Sequence, residues 1–275
     1  MTSVVIWQHR EWLNLKQPGW VTSMHLGNTW IAADSRISAL LNSRKRVKPT
    51  DAALKILPLN MKLFREYEDG PGSVPVYDGE FAYAYAGSTL PASMTYAMAS
   101  SYLRGLTGGY DTDLPTIGNI VGMINRIGAS YAHETKLEFE AFVVGLCPLH
   151  HDNRRTHAYR LRFDISGVPQ KPELLDLKPD GSFALLGTNQ QVIGDRLRER
   201  LAADVEYNPA LVIKEVIEEE IAGDIGGYLH LARIGSGVDI YPAWRGSQTS
   251  LPSAYADTRL GGVGEWRVNG IFGLA

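Results

Sequence analysis

The sequence has little cysteine, little net charge and no long apolar run. Its one cysteine, Cys147, excludes an internal disulfide framework and any multi-cysteine metal site. A net charge of -3 gives no reason to expect nucleic acid or an anionic membrane as a partner. No apolar run approaches the roughly 18 residues of a membrane span. With 44% hydrophobic and 21% charged residues, the chain is expected to be an ordinary globular protein with a sizeable core.

The N-terminal residues lack the basic lead of a signal peptide. Residues 2–7 are apolar and β-branched, so a strand is predicted to begin at once. A single cysteine is compatible with a reducing compartment, and the cytoplasm is the predicted location. His150, His151 and His157 lack an accompanying cluster of acids or cysteines. They are interpreted as surface residues, and neither a metal nor another cofactor is expected.

The segment 29–36, Thr-Trp-Ile-Ala-Ala-Asp-Ser-Arg, carries the strongest chemical signal. An apolar strand ends there in Asp34, and Lys55 lies inside the next apolar run, 53–57. Buried acids and lysines are unfavourable unless paired, so each is the predicted partner of the other. A desolvated lysine beside a carboxylate can activate a hydroxyl nucleophile, which favours an enzyme. A strand-end capping acid and a lysine reaching the surface are the simpler interpretation on chemistry alone.

The order of predicted elements indicates a layered α+β architecture in which helices enclose the sheets. The residue patterns predict strands at 2–7, 20–34, 54–59, 81–87, 139–146, 156–164, 181–186 and 228–234, and helices at 89–105, 116–134, 190–204 and 209–222. A basic solvated loop is expected at 37–50 and a Gly/Pro/acid-rich loop at 66–79. From residue 235 the chain is expected to be an irregular extension with one strand near 266–272.

The first two strands are expected to pair as a hairpin, and two registers are possible. A long hairpin pairs Thr2 with Ala33 and projects residues 8–27 outward. A short hairpin instead pairs Thr22 with Ala33. The long hairpin is favoured because it gives the first apolar strand a buried partner.

Five segments, in order, resemble the proteasome β-subunit family of N-terminal-nucleophile hydrolases, which includes the bacterial HslV-type and Anbu-type peptidases. The segments are IAADSR at 31–36, ALKI at 53–56, FAYAYAGSTLPA at 81–92, FALLGTNQQVIGDRLRERL at 183–201 and IAGDIGGYLHLARI at 221–234. The resemblance implies a four-layer αββα sandwich. It covers about residues 2–234, so we expect one domain over 1–234, with an extended first hairpin at 8–27, and a C-terminal extension at 235–275.

The resemblance also implies a nucleophile and its activating groups. Thr2 would become the N-terminal nucleophile once the residue before it is removed. Its free α-amine, with a pKa near ~8, suits proton transfer at neutral pH. Lys55 would tune the threonine, and Asp34 would hold the lysine.

Supporting residues follow from the same resemblance. The main-chain N–H of Gly87 would donate to the oxyanion, where such a donor contributes ~3 kcal/mol. Thr188 falls where the family has a supporting serine, and Asp224 falls near its second acid. Arg36 would be structural and anchor a turn.

Alternatives remain at the nucleophile and at the level of function. Thr22 is a second candidate nucleophile, but it follows Trp20-Val21 rather than a glycine. A chain without an active nucleophile would be a silent scaffold subunit of the same fold, and an amidase acting on a small molecule is a third possibility. The first hypothesis is a threonine-type peptidase acting on peptide or protein substrates. The resemblance implies a ring-forming homo-oligomer and does not specify an unfoldase partner.

Overall fold

The computed structural model of the chain describes most of the sequence outside the first hairpin and the C-terminal tail. The described residues are 3–10, 27–41, 45–50, 53–68, 70–149, 155–178, 181–204, 207–220, 225–235, 237–244, 262–263 and 266–267.

The described elements follow the alternation of strands and helix pairs expected from the sequence. The strands are β1 Ser3–Arg10, β2 Gly27–Asp34, β3 Ile37–Leu41, β4 Lys45–Thr50, β5 Ile56–Glu66, β6 Ser73–Gly87, β7 Leu106–Gly108, β8 Phe139–Leu146, β9 Thr156–Phe163, β10 Glu173–Leu175, β11 Phe183–Gly187, β12 Leu229–Ile234, β13 Val238–Trp244, β14 Gly262–Val263 and β15 Trp266–Arg267. The helices are α1 Thr89–Leu103, α2 Ile117–Thr135, α3 Gln190–Ala203 and α4 Pro209–Glu218.

Two sheets carry the fold, which is a mixed α/β architecture. The five-stranded sheet has the order β11-β1-β2-β12-β13 and is antiparallel throughout. The six-stranded sheet has the order β10-β9-β8-β6-β5-β7, and its β5–β7 pair is parallel. The described residues also form two small two-stranded sheets, β3–β4 and β14–β15.

Three apolar clusters account for the apolar sequence of the central strands. One cluster joins residues of the six-stranded sheet to α1 and α2, and another joins the five-stranded sheet to α3 and α4. The cluster between them contains residues of both sheets. Along β1, Val4 and Ile6 belong to the inter-sheet cluster, whereas Val5 and Trp7 belong to the cluster with α3 and α4. Since successive side chains of a strand point to opposite faces, a strand covered on both faces has a continuous apolar run.

The helix boundaries follow local capping chemistry. Thr116 and Asn119 form a reciprocal capping box at the start of α2, and Lys136 ends that helix with φ of 57°. Asn208 caps α4, whose first residue is Pro209. The helix predictions therefore agree with the structure to within a few residues over the described range.

The long first hairpin is confirmed, but its predicted register is wrong by two residues. Val4, and not Thr2, pairs with Ala33, and Gly27 pairs with Arg10. A shift of two residues keeps every side chain on the same face, so the apolar pattern does not distinguish the two registers. Residues 11–26 lie outside the described residues.

Three predictions of irregular structure are also corrected. Within the predicted loop at 37–50, β3 and β4 pair as antiparallel strands, because main-chain pairing does not require apolar side chains. Part of the predicted loop at 66–79 belongs to β6, whose first residues extend beyond the core and can therefore be polar. The tail contributes β13, a strand of the five-stranded sheet that was not predicted. None of the helices in the described ranges is long and apolar enough to cross a membrane.

Candidate active site

The strand order brings the ends of four neighbouring strands of the five-stranded sheet together. Ser3 opens β1, Asp34 closes β2, and these two strands pair along their length. Leu229, at the start of β12, lies opposite Asp34 on its other side. Gly187, at the end of β11, lies opposite Ser3. Polar residues at these strand ends are therefore held in contact by sheet pairing.

Asp34 is fully buried and is bound by the main chain on both sides of its carboxylate. The N–H of Ser3 donates to Oδ1 at 2.9 Å, and the N–H groups of Arg36 and Gly226 donate to Oδ2 at 3.2 Å each. Burial raises the pKa of the Asp34 carboxyl above its ordinary value, while Lys55 and the three N–H donors oppose that shift.

Lys55 is the predicted partner of Asp34, and the structure confirms that contact. Its side chain is fully buried, and Nζ lies 3.7 Å from Asp34 Oδ2. Nζ also donates a hydrogen bond to the carbonyl of Arg36. The partners of the ammonium among the described residues thus include a carboxylate and a carbonyl, the kind of contacts that a buried charge requires.

Arg36 and the segment 225–226 pack against each other next to Asp34 and are joined by hydrogen bonds. The Arg36 guanidinium donates to the carbonyl of Ile225 at 3.1 Å, and its main-chain N–H donates to the carbonyl of Gly226 at 3.0 Å. A Cβ added to Gly226, which has φ of +156°, would lie 2.2 Å from Arg36 Cζ. Only glycine fits at 226, and the structural role predicted for Arg36 is consistent with these contacts.

His230 connects the two sheets directly behind Lys55. It is fully buried on β12, and its Nδ1 accepts the N–H of Lys55 at 3.3 Å and the N–H of Ile56 at 3.4 Å. Burial, together with the charge of Lys55, lowers the pKa of His230 to about 4. The imidazole is therefore neutral at pH 7.

Gly87 lies at the end of β6, near the start of β5. The N–H of Tyr85, two residues before Gly87, donates to the carbonyl of Lys55 at 3.1 Å. Gly87 has φ of +100°, and an added Cβ would lie 2.9 Å from Phe139 Cα. Both its conformation and the close approach of Phe139 require glycine.

Glu140 fixes the junction between β11 and α3, where Thr188 lies. Its Oε1 accepts from Arg160 Nη2 at 2.8 Å, and its Oε2 accepts from the N–H of Gly187 at 3.2 Å. The carbonyl of Thr188 in turn accepts a hydrogen bond from Ser3 Oγ at 3.0 Å. Thr188 therefore contacts the start of β1 through its main chain.

The structure brings only some of the predicted site residues into contact. Asp34 and Lys55 form one buried pair, and Thr188 is linked to it through Ser3. Gly87 is two residues beyond the main-chain partner of Lys55, and no described contact joins it directly to Asp34 or Lys55. Thr2, Thr22 and Asp224 lie outside the described residues, as do His150 and His151.

Four residues with clear structural roles were missed by the sequence analysis: Ser3, Glu140, Gly226 and His230. His230 did leave a signal, because it alternates with Ala232 and Ile234 on the inter-sheet face of β12. A buried histidine in an apolar row requires a hydrogen-bond partner. The alternation of side chains along the strand would have indicated that His230 is buried in this way. Glu140 left no comparable signal, since its partners come from distant strands.

No described group of three or more His, Cys, Asp or Glu side chains could hold a metal ion. Two cavities of about 160 and 220 Å³ are formed by described residues, and neither is lined by Asp34 or Lys55. The chemistry available in the described part of the site is that of a buried ammonium held beside a carboxylate, next to the first residues of the chain.

Comparison with known proteins gives no sequence match but does give structural ones. No protein-family model matches the chain, and no curated protein matches it. The Anbu complex of Pseudomonas aeruginosa, solved as a helical assembly, aligns over 91% of this chain and 88% of its own, with 15% identity and a TM-score of 0.50. At that identity the similarity shows a shared fold.

Two other Anbu structures align less closely. The Gly-1 mutant from Hyphomicrobium sp. strain MC1 covers 98% of this chain and 100% of its own, with 13% identity and a TM-score of 0.49. Anbu from Yersinia bercovieri, described as an ancestral beta-subunit, covers 87% and 86%, with 8% identity and a TM-score of 0.48. The statement of a shared fold is therefore supported by the Pseudomonas aeruginosa complex.

Proposed function

We propose that this chain is a proteasome-like subunit of the Anbu type that hydrolyses peptide bonds with Thr2 as the N-terminal nucleophile. The observation that supports this most directly is the 2.9 Å hydrogen bond from the N–H of Ser3 to Asp34. The nitrogen of Ser3 is covalently bonded to the carbonyl carbon of Thr2. Chain connectivity therefore puts Thr2 one peptide unit from a carboxylate that also holds Lys55.

The proposed reaction begins with attack by Thr2 Oγ1 on the carbonyl carbon of the substrate amide. The α-amine that is freed when the preceding residue is removed takes the hydroxyl proton, since its pKa of ~8 suits that transfer. The resulting oxyanion accepts the N–H of Gly87. Collapse of the intermediate releases the amine product, which takes up the proton, and leaves an ester on Thr2. Water then hydrolyses the ester.

Lys55 and Asp34 act electrostatically in this scheme. The ammonium of Lys55 stabilises negative charge that develops on Thr2 Oγ1 and favours the neutral form of the nearby α-amine. Asp34 keeps the ammonium in place, with three main-chain donors fixing the carboxylate. Thr188 and Asp224 are proposed as supporting residues.

The proposal extends to architecture and assembly. The three apolar clusters support a four-layer αββα sandwich, with the helix pairs outside the two sheets. The domain is proposed to span 1–234, with 235–275 as an extension, although β13 of the extension pairs with β12. The helical assembly of the Pseudomonas aeruginosa Anbu complex supports a homo-oligomer.

Two measurements on the purified chain test the function. Mass spectrometry should find an N-terminus at Thr2, and a panel of fluorogenic peptides should be cleaved. Thr2→Ala should abolish turnover, whereas Thr22→Ala, the matched control, should retain it. An intact Met1 with no turnover of peptides would indicate the silent scaffold. Turnover of small amides but not of peptides would indicate the amidase, and full activity in Thr2→Ala would exclude Thr2 as nucleophile.

A further inference from the structure

One fully buried titratable group is not used by the proposed reaction. His230 lies on the face of β12 that points between the sheets, in a row with Ala232 and Ile234. Its strand neighbour across the sheet is Ala33, one residue before Asp34. The imidazole is thus carried by the strand that flanks Asp34, while its hydrogen bonds go to the other sheet.

Those hydrogen bonds go to the main chain of Lys55 and of the next residue. Nδ1 accepts the N–H of Lys55 at 3.3 Å and the N–H of Ile56 at 3.4 Å. An imidazole nitrogen that accepts two N–H groups carries no proton, so in the neutral ring the proton is on Nε2. Nε2 has no hydrogen-bond partner among the described residues.

That arrangement is unfavourable for stability alone. A buried donor without a partner is destabilising, a cost that a leucine of similar volume would not incur. The histidine nevertheless provides a hydrogen-bond acceptor that an apolar side chain lacks. What it provides is an acceptor for two adjacent N–H groups at the residue whose ammonium meets Asp34.

We propose that His230 is a positioning residue that orients Lys55 by fixing its main chain from the opposite sheet. This inference depends on the proposed function for its catalytic consequence but not for its structural content. Asp34 and His230 belong to neighbouring strands of one sheet, and they bind Lys55 at its two ends. The carboxylate binds the ammonium, and the imidazole binds the N–H.

Neutrality of the ring is part of this role. A second cation next to the buried ammonium would compete with Lys55 for Asp34 and would be strongly destabilised. The low pKa of His230, caused by burial and by the charge of Lys55, keeps the ring uncharged over the physiological range.

Three variants separate positioning from packing. His230→Leu removes the acceptor and keeps the volume. His230→Asn keeps an acceptor oxygen close to the place of Nδ1. Thr29→Val is the matched control, because it removes a different buried contact between the sheets, the 2.6 Å pair of Thr29 Oγ1 and Thr156 Oγ1.

The first readout does not require catalysis. Hydrogen–deuterium exchange followed by mass spectrometry reports on the peptide that contains the N–H groups of Lys55 and Ile56. Once each variant's change in the free energy of unfolding is allowed for, exchange there should be about 10-fold faster in His230→Leu than in the parent, and His230→Asn and Thr29→Val should stay close to the parent. Equal exchange in all four proteins would overturn the proposal.

The second readout is peptide turnover. His230→Leu should lower kcat roughly 10-fold to 100-fold with little change in KM, and His230→Asn should recover most of the loss. If the leucine variant has the parent kcat, or if both variants are reduced equally while remaining folded, His230 does not position the lysine. A parent protein that cleaves nothing would contradict the proposed function, and the exchange experiment would still decide whether His230 fixes Lys55.

Discussion

Strand β2 meets the six-stranded sheet differently at its two ends. At its C-terminal end, Asp34 is bound by three N–H groups and lies 3.7 Å from the ammonium of Lys55. Near its N-terminal end, Thr29 makes one hydroxyl–hydroxyl contact of 2.6 Å with Thr156. Both ends are buried and both join the sheets, so the difference is not one of solvent access.

The Thr29 end shows the least polar chemistry needed to join the sheets, because a single shared hydrogen bond satisfies both hydroxyls. The Asp34 end has two buried charges and a neutral imidazole with an unpartnered nitrogen, and each of these is unfavourable for folding by itself. Excess buried polarity beyond what packing requires is typical of functional sites. The comparison therefore favours the Asp34 end as the proposed active site, without reference to any relative.

The largest expected effect comes from removing the charge at the Asp34 end. If Thr2 is the nucleophile as proposed, Lys55→Met should lower kcat by about 10³-fold, since the threonine loses its neighbouring cation. It should also lower the free energy of unfolding by about 3–5 kcal/mol, because Asp34 is left buried without its partner. Peptide kinetics and denaturant unfolding measure the two effects.

Lys62→Met is the control for that variant. Lys62 pairs with Asp78 at 3.3 Å, but both side chains are more than half exposed. Its removal should change the free energy of unfolding by less than about 0.5 kcal/mol. A kcat for Lys55→Met within 10-fold of the parent would remove the functional distinction between the two ends.

The second prediction concerns pH. The pKa of His230 is about 4 in the folded chain and about 6.5 when unfolded, so the unfolded chain takes up a proton first as pH falls. The contribution of this group is fully present above pH ~6.5 and is lost as pH falls towards 4, a loss of about 3 kcal/mol.

Denaturant unfolding at several pH values measures that loss as the difference between the parent and His230→Asn. The difference isolates the imidazole from other titrating groups, including Asp34. If the free energy of unfolding depends on pH in the same way in the two proteins, the imidazole of His230 does not stay neutral in the folded chain.

A third, smaller effect is expected at the junction that carries Thr188. Glu140→Gln should lower the free energy of unfolding by about 1–2 kcal/mol, because Arg160 keeps an acceptor but loses its charged partner. A kcat reduction of only a few-fold should accompany it. Glu173→Gln, in which the lost partner of Arg162 is half exposed, should change neither quantity measurably. Equal effects of the two substitutions would show that Glu140 has no special role at this end.

The smallest effect is expected at the Thr29 end. Thr29→Val leaves the buried hydroxyl of Thr156 unpaired and should cost about 1–2 kcal/mol, with no change in kcat. Adding Thr156→Val removes both partners and should recover most of that loss. A kcat decrease in the single variant, at unchanged KM, would mean that the two ends are coupled.

The sequence was sufficient for the features that depend on local pattern or on the cost of burying charge. The helices followed from local residue patterns, and the contact between Asp34 and Lys55 followed from the need of each buried charge for a partner. The roles proposed for Thr2, Gly87, Thr188 and Asp224 came from the resemblance and stay predictions.

The misses have physical causes. The hairpin register was wrong because a shift of two residues leaves every side chain on its face. Strand β13 was missed because the tail after residue 235 is rich in Gly, Ser and Pro, a composition typical of irregular structure. β13 contains Pro242, but it lies at the edge of its sheet, where proline is tolerated. The partners of His230 lie about 175 residues away along the chain, and no local pattern contains that information.

The bond from Gly226 to Asp34 also has a consequence for biosynthesis. The two residues are 192 residues apart in the chain. At ordinary translation rates the N–H of Gly226 is therefore synthesised roughly 10 to 40 s after the Asp34 carboxylate that it binds. Ribosome-bound chains stopped before residue 226 should therefore lack peptide turnover even when Thr2 is exposed, which a stalled-translation assay can measure. A peptidase built this way would stay inert on the ribosome and become competent only when its last core strand has been synthesised.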